Sequence, residues 1–330
     1  MMNHILQVNN LQTAFKTDKG MQTVVHGISF HVDKGENVGI VGESGCGKSV
    51  TSLSIMRLLH DTPGKITGGQ VIYNDHDLLR LPESSMKGYR GKELAMIFQE
   101  PMTSLNPVLK IGKQLREPIQ LHLKMSKADA AEHAVKVLES VGIPRAKDIM
   151  EEYPHQLSGG MRQRVMIAMA ISCKPSLLIA DEPTTALDVT IQAQILSLMK
   201  EIQKENDMGI LMITHDLGVV AEVCNRVIVM YAGRVVEETT VELLFENPKH
   251  PYTKGLIASV PKIGSGSKRL HSIPGTVPSP TNMPTGCKFA PRCKDVMDFC
   301  HTEEPGLIEE DGHSCRCWLY QDQRQGAMTE

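Results

Sequence analysis

Long apolar runs are missing from this chain. No window approaches the roughly 18 uninterrupted apolar residues of a membrane-spanning helix, and the richest stretch, Val165 to Ile171, has the length of a short core helix. Any membrane association therefore has to run through a partner. A surplus of positive charge is missing too: 35 Lys and Arg stand against 38 Asp and Glu, a formal net charge of -3, and no basic run reaches the length of a polybasic tail. That excludes the global basic field that nucleic-acid binding uses. The opening residues, Met1 to Val8, lack the basic segment and apolar core of a secretory leader, and the polar Asn9 and Asn10 follow at once. A cytoplasmic chain is expected. Cysteine is scarce until late, with five of eight falling after residue 286. In a cytoplasmic protein these read as thiols or metal ligands rather than disulfides.

What is present is enough for a full core and a second domain: 330 residues, 41% hydrophobic and 22% charged. Ile5 to Val8 and Ile28 to Val32 flank a polar turn at Thr17 to Gly20, which suits antiparallel strands. From Asn37 the order becomes strand, loop, helix. Val38 to Val41 is apolar, a Gly-rich loop follows, and Ser49 to Leu59 carries Leu53, Met56 and Leu59 at helical spacing before Asp61-Thr-Pro-Gly64 stops it. Ser126 to Gly142 reads as an amphipathic helix with Ser126 as N-cap and Ala130, Ala134, Val137, Leu138 and Val141 on its apolar face, part of an inserted helical lobe. Leu177 to Ala180, Ile210 to Ile213 and Val227 to Met230 are strand-length apolar runs separated by helix-length segments, which implies a parallel sheet covered by helices. Beyond Glu237 prolines interrupt the pattern, Gly264-Ser-Gly-Ser267 looks like a flexible connection, and a domain boundary is expected near residue 238.

Gly42, Glu43, Ser44, Gly45, Cys46, Gly47, Lys48 and Ser49 fit the phosphate-loop pattern GxxxxGK[ST] between a strand and a helix. Glycines let backbone N–H groups converge on phosphates, Lys48 reaches the β- and γ-phosphates of ATP, and the Ser49 hydroxyl can ligate Mg²⁺. Asp181 and Glu182 end the strand Leu177-Leu-Ile-Ala, where open α/β sheets present ligands. Asp181 is placed to hold Mg²⁺ and Glu182 to take a proton from the attacking water.

Leu157-Ser-Gly-Gly-Met-Arg-Gln163 then precedes the acid-ending strand, and with it the chain resembles the ABC ATPase family. Ser158, Gly159 and Gly160 open a helix that runs on through Arg162 to Ile171, so they offer a hydroxyl, backbone donors and a helix N-terminus to an anion. The resemblance implies that this anion is the γ-phosphate held by a second subunit, and it groups Gln163 with the signature. It also implies the fold: α/β, a P-loop (RecA-like) ABC nucleotide-binding domain over residues 1–237, with an antiparallel β subdomain, a helical subdomain at about 100–160, and a small irregular Cys-rich C-terminal extension over 238–330. Gln99 resembles the glutamine that senses Mg²⁺ and water, and His215 the switch histidine that contacts the γ-phosphate. Ala186-Leu-Asp188 resembles the loop that crosses the dimer interface. Phe15 falls where the family carries an aromatic that stacks on adenine, with a core role as the alternative. Val50 departs from the family's usual Thr or Ser, which puts one α-phosphate contact in doubt. Cys46 reads as a small filler.

His250 to Pro261 and Gly286-Cys-Lys-Phe-Ala-Pro-Arg-Cys293 look like the C-terminal extension of dipeptide, oligopeptide and nickel importer ATPases. By that resemblance the chain energises uptake of di- or oligopeptides from the cytoplasmic face of the membrane, as a peripheral subunit. Its partners would be a second, homologous ATPase in a heterodimer, two membrane permeases and an extracytoplasmic solute-binding protein, with no nucleic acid. Glu100-Pro-Met-Thr-Ser-Leu-Asn-Pro107 resembles the surface that receives a permease's coupling helix. Alternatives are a nickel or other small-solute importer of the same family, or a soluble ABC-type mechanoenzyme. Cys287, Cys293, Cys300 and Cys317, with Cys315 as rival for the fourth place, lie in a segment without core periodicity, which points to a bound metal or cluster as its organiser. Four thiolates suit Zn²⁺ or a [4Fe-4S] cluster, and the family resemblance favours the cluster. Its role is expected to be structural and remote from Lys48.

Overall fold

The structure is a computed structural model that describes residues 4–60, 62–99, 104–185, 187–260 and 272–321. Ala186, Glu100 to Thr103 of the coupling-helix segment and the Gly264-Ser-Gly-Ser267 connection lie outside the described residues. In chain order, β1 (His4–Thr17), β2 (Gly20–Asp33) and β3 (Asn37–Val41) lead into α1 (Lys48–Ile55). Then come β4 (Gly64–Tyr73), β5 (His76–Asp77), α2 (Glu83–Tyr89) and β6 (Leu94–Ile97). A helical stretch follows, with α3 (Ile111–Leu123), α4 (Lys127–Ser140), α5 (Ala146–Ile149) and α6 (Gly159–Ile171). Next are β7 (Leu177–Asp181), α7 (Val189–Asn206), β8 (Gly209–Thr214), α8 (Leu217–Val223), β9 (Arg226–Tyr231) and β10 (Arg234–Thr240). The chain ends through α9 (Val241–Glu246), α10 (Pro251–Ser259), β11 (Ile308–Glu310) and β12 (His313–Cys315).

The described residues of 1–5, 32–36 and 77–212 form one compact unit. Its β6 and β7 are parallel, with Leu94 opposite Leu177 and Ile97 opposite Ala180. Both strands are short and apolar, as buried parallel strands are, and every residue of β7 is buried. The helical stretch packs α3, α4 and α6 together through Ile111, Leu115 and Ile119, through Ala130, Ala134 and Leu138, and through Val165 and Ile167. Ser126 caps α4, its hydroxyl accepting the Asp129 N–H, as the sequence pattern predicts.

The described residues of 6–31, 37–76 and 213–330 form the second unit. It holds an antiparallel sheet in the order β2-β1-β4-β5, with the β1–β2 turn at Asp18 and Lys19. It also holds the strands β11-β12-β10-β9-β3 in that order, β3 and β9 parallel with Val38 opposite Arg226 and Val41 opposite Val229. α1 is shorter than the Ser49 to Leu59 expectation. Arg57 turns left-handed at φ 53°, and the N–H groups of Arg57 and Leu58 return to Ser54 and Leu53, the paired bonds that close a helix C-terminus.

The late region is less irregular than its composition implies. β12 pairs antiparallel with β10, Cys315 opposite Glu237, and β11 pairs with β12. Phe289 and Ala290 are buried, and Phe289 joins a core with Tyr231 of β9 and Tyr252 of α10. The three rings lie 4.7 to 5.4 Å apart between centroids, contacts of about 0.5–1.5 kcal/mol each beyond area burial. Ligand bonds are therefore not the segment's only source of order.

Candidate active site

In the second unit, β3 delivers the chain to the loop Gly42–Ser49, and α1 leaves from it. Gly42 must be glycine because a Cβ there would lie 2.2 Å from the Met230 carbonyl oxygen. Gly47 is the left-handed N-cap of α1 at φ 101°, a conformation that costs a side-chain-bearing residue about 1 kcal/mol or more. Lys48 is buried, and its Nζ donates to the carbonyl oxygens of Gly42 at 2.7 Å and Glu43 at 3.2 Å. The ammonium is folded back over its own loop, with Ser44 and Gly45 exposed beside it. Ser49 and Val50 are half-buried in the first turn of α1. Cys46 is buried, burial pushes its thiol pKa up, and its carbonyl accepts the Gly233 N–H at 2.9 Å. These facts suit a packing role for Cys46. Phe15, on β1 opposite Gly64, is half-buried rather than in the core. His215 is exposed just past β8, and Asp216 caps α8 through the Gly218 N–H.

Glu43 is held from two directions. Its N–H donates to Tyr252 Oη at 2.8 Å, and its carboxylate accepts two bonds from Arg292, Nη1 to Oε2 at 2.6 Å and Nη2 to Oε1 at 3.0 Å. Two residues of the C-terminal region therefore contact the loop directly, although the cysteine group is expected to be remote from Lys48. Sequence reasoning missed both partners, because Arg292 lies 249 positions from Glu43 and no local pattern links them.

In the first unit, Asp181 closes β7 at 4% exposure. Glu182 follows at φ 47°, a left-handed strain of the kind active sites retain. Its Oε2 accepts Gln99 Nε2 at 3.2 Å and the Thr185 hydroxyl at 2.8 Å. The structure thus brings together Gln99 and Glu182, and adds Thr185, which no motif had singled out. Ser158 caps α6 and stays exposed, its Oγ accepting the Met161 N–H at 3.3 Å. A Cβ on Gly159 would meet nothing, which leaves the helix start open. Gln163 departs from its grouping with these residues. It is buried, and its Nε2 donates to the Pro183 carbonyl, so it braces the turn after Glu182 instead of facing outward. Asp188 is exposed and caps α7, accepting the Ile191 N–H at 2.9 Å.

Among the cysteines, Cys317 feels the charges of Cys287, Cys293 and Cys300. Cys317 is pushed up to about 12, first by burial and then by the charges of the other three. Cys293 is pushed up to about 11 by burial, with Asp295, Cys287 and Cys300 adding to it. Cys315 lies on β12, buried, opposite Glu237 of β10. The backbone draws two of the group together, with the Cys287 N–H donating to the Cys300 carbonyl at 2.8 Å.

Comparison with known proteins fits these features. The ABC transporter family model matches residues 25–185, and the model for the oligopeptide/dipeptide transporter C-terminal region matches residues 236–300. The chain is 55% identical over 323 residues to the oligopeptide transport ATP-binding protein AppD of Bacillus subtilis, covering 98% of each chain. It is 52% identical over 324 residues to the dipeptide transport ATP-binding protein DppD of the same organism, covering 98% of this chain and 96% of that one. Among solved structures, a dimeric post-hydrolysis state of the ATP-binding cassette MJ0796 bound to ADP and Pi is 27% identical with a TM-score of 0.65, over 72% of this chain and 98% of that one. CbiO1 from Clostridium perfringens is 25% identical with a TM-score of 0.63, over 74% and 92%. The chain belongs to the ABC transporter ATP-binding proteins, in the oligopeptide and dipeptide group. It is an ABC ATPase with that family's cassette fold.

Proposed function

We propose that this ATPase energises uptake of di- and oligopeptides through separate permease subunits. The observation that carries the cargo is the 55% identity, over 98% of both chains, to an oligopeptide transport ATP-binding protein. Among the described residues no helix is long and apolar enough to cross a membrane, so the chain would work as a peripheral subunit on the cytoplasmic face. Its partners are two permeases, a homologous second ATPase and a solute-binding protein across the membrane. Residues 1–237 form the ATPase domain in this reading and 238–330 the extension, a division supported by the match of the C-terminal family model from residue 236.

In the proposed reaction Lys48 leaves the Gly42 and Glu43 carbonyls for the β- and γ-phosphates, and the loop N–H groups take the remaining oxygens. Phe15 stacks on the adenine, aided by its half-buried position. Ser49, Gln99 and Asp181 would hold Mg²⁺, which would supply charge neutralisation to the phosphates. Glu182 takes the proton of the attacking water, and the Gln99 and Thr185 bonds hold its carboxylate in place. His215 contacts the γ-phosphate. Ser158, Gly159 and Gly160 close on the nucleotide of a second subunit, while Asp188 lies in the loop facing it.

Cys287, Cys293, Cys300 and Cys317 hold a [4Fe-4S] cluster in this reading. Tetrahedral zinc with Zn–S near 2.3 Å requires sulfurs about 3.8 Å apart. Zinc is the alternative for the same four thiolates. The test of transport is genetic and direct. Deleting the coding sequence should abolish uptake of a labelled tripeptide and leave uptake of free amino acids intact, and unchanged peptide uptake would count against the cargo.

A further inference from the structure

Arg292 makes five hydrogen bonds, two of them to one residue of the phosphate loop. A guanidinium has five N–H donors. Here Nε donates to the Pro274 carbonyl at 2.8 Å, Nη1 to Glu43 at 2.6 Å and to Tyr231 Oη at 3.4 Å, and Nη2 to Glu43 at 3.0 Å and to the Ile273 carbonyl at 3.3 Å. The side chain is 3% exposed, against 33% for Glu43. Its guanidinium carbon lies 5.8 Å from the Tyr231 ring centroid and 6.0 Å from that of Phe289. A fork-on-fork pair of this kind fixes orientation as well as charge. On the other side the Tyr252 hydroxyl takes the Glu43 N–H.

The placement is electrostatically pointed. Glu43 is the second residue of a loop that receives a triphosphate, and a free carboxylate there would repel the ligand. The same residue's carbonyl accepts the Lys48 ammonium, so rotating Glu43 also disturbs the lysine's resting position. We propose that Arg292, with Tyr252, is a positioning residue for nucleotide binding: the C-terminal region neutralises Glu43, turns its carboxylate away from the phosphates and presets the loop. This rests on the reading of Gly42–Ser49 as the triphosphate site.

The test uses the full chain and the fluorescent analogue mant-ATP, with ATPase kinetics measured in the complete transporter. Arg292→Gln is expected to raise the Kd on the order of tenfold, as for a lost charge-assisted pair, and to raise KM alongside while kcat stays within about twofold. Glu43→Gln added to Arg292→Gln removes the unpaired carboxylate and should recover most of the lost affinity. A merely structural Arg292 would not be rescued in this way. Wild-type affinity in Arg292→Gln overturns the proposal, and so does a loss that Glu43→Gln leaves uncorrected. Should Arg292→Gln fail to fold, Arg292→Lys is read in its place. It keeps the charge, cannot serve both oxygens, and is expected to weaken binding about threefold; unchanged affinity there sinks the idea. Lys48→Ala in the same assay tests the underlying reading separately, because mant-ATP binding untouched by that change would remove the site itself.

Discussion

Gln99 Nε2 lies 3.2 Å from Glu182 Oε2, joining the end of β6 to the residue after β7. The Thr185 hydroxyl reaches the same oxygen at 2.8 Å, so two donors from separate loops hold one carboxylate oxygen. The backbone strain at Glu182, φ 47°, is retained where the carboxylate must be aimed rather than merely capped.

Glu182→Gln should therefore keep the shape and both contacts of the side chain while losing the base. We expect ATP affinity near that of the parent and turnover lowered by about 10² to 10⁴. Gln99→Ala removes a single neutral hydrogen bond and should cost about fivefold in kcat. Single-turnover hydrolysis measures both; near-parental cleavage by Glu182→Gln would falsify the assignment of the base.

The exposed Ser158 at the open start of α6 predicts a composite site. The isolated chain should hydrolyse ATP slowly, and adding the cognate second ATPase and the permeases should accelerate it. Ser158→Ala should lower the assembled rate while leaving mant-ATP binding to the isolated chain unchanged, since the hydroxyl serves the other subunit's nucleotide. Light scattering during turnover decides the matter: full activity from a strict monomer would contradict it.

Much of this was legible in the sequence, and the reasons are local. Val38–Val41, Leu177–Ala180 and Val227–Met230 are continuous apolar runs, and each proves to be a buried parallel strand. The phosphate loop is legible because its glycines answer to backbone geometry within eight residues. What stayed hidden depends on distance along the chain. The end of α1 is set by Arg57 adopting a left-handed conformation, which no propensity for arginine announces. β12 is a strand because β10 and β11 pair with it from either side. Gln163 looks like part of an exposed signature but turns inward because the Pro183 carbonyl needs a donor.

The fold should weaken in mild acid because of His250. This residue is buried, caps α10 by accepting the Tyr252 N–H on Nδ1 at 3.0 Å, and has its pKa lowered to about 4, chiefly by burial. The unfolded chain binds that proton near pH 6.5, so between pH 6.5 and 4 the unfolded state holds more protons than the native one. Stability then rises with pH across that window and falls on acidification, by about 2 kcal/mol from pH 7.5 to 5 for this group alone. Glu237 adds to the loss at the acid end. Burial alone would raise its pKa, but hydrogen bonds led by His313 lower it, so its contribution disappears as pH falls through its native value. His250→Asn retains a cap acceptor and cannot titrate. Its thermal midpoint should drop less between pH 7.5 and 5 than the parent's, and equal drops would refute the role of His250.

The cysteine group yields the sharpest chemical prediction. Protein purified without oxygen should be brown and carry iron and sulfide near four of each per chain, as a [4Fe-4S] centre requires. Cys293→Ser should lose both, because Cys293 neighbours Cys287, Cys300 and Cys317. Cys315→Ser should keep both, because that thiol sits on β12 against Glu237. Cys287, Cys293 and Cys317, raised in pKa by burial first and by neighbouring thiols, are poor thiolates until a cation offsets the repulsion, so the emptied site should relax rather than persist. Arg292 immediately precedes Cys293 and grips Glu43, so cluster loss is expected to weaken mant-ATP binding by several-fold, in the direction of Arg292→Gln. Zinc without iron in anaerobic material would replace the cluster with a zinc site. Equal iron in Cys293→Ser and the parent would remove these four residues as its ligands.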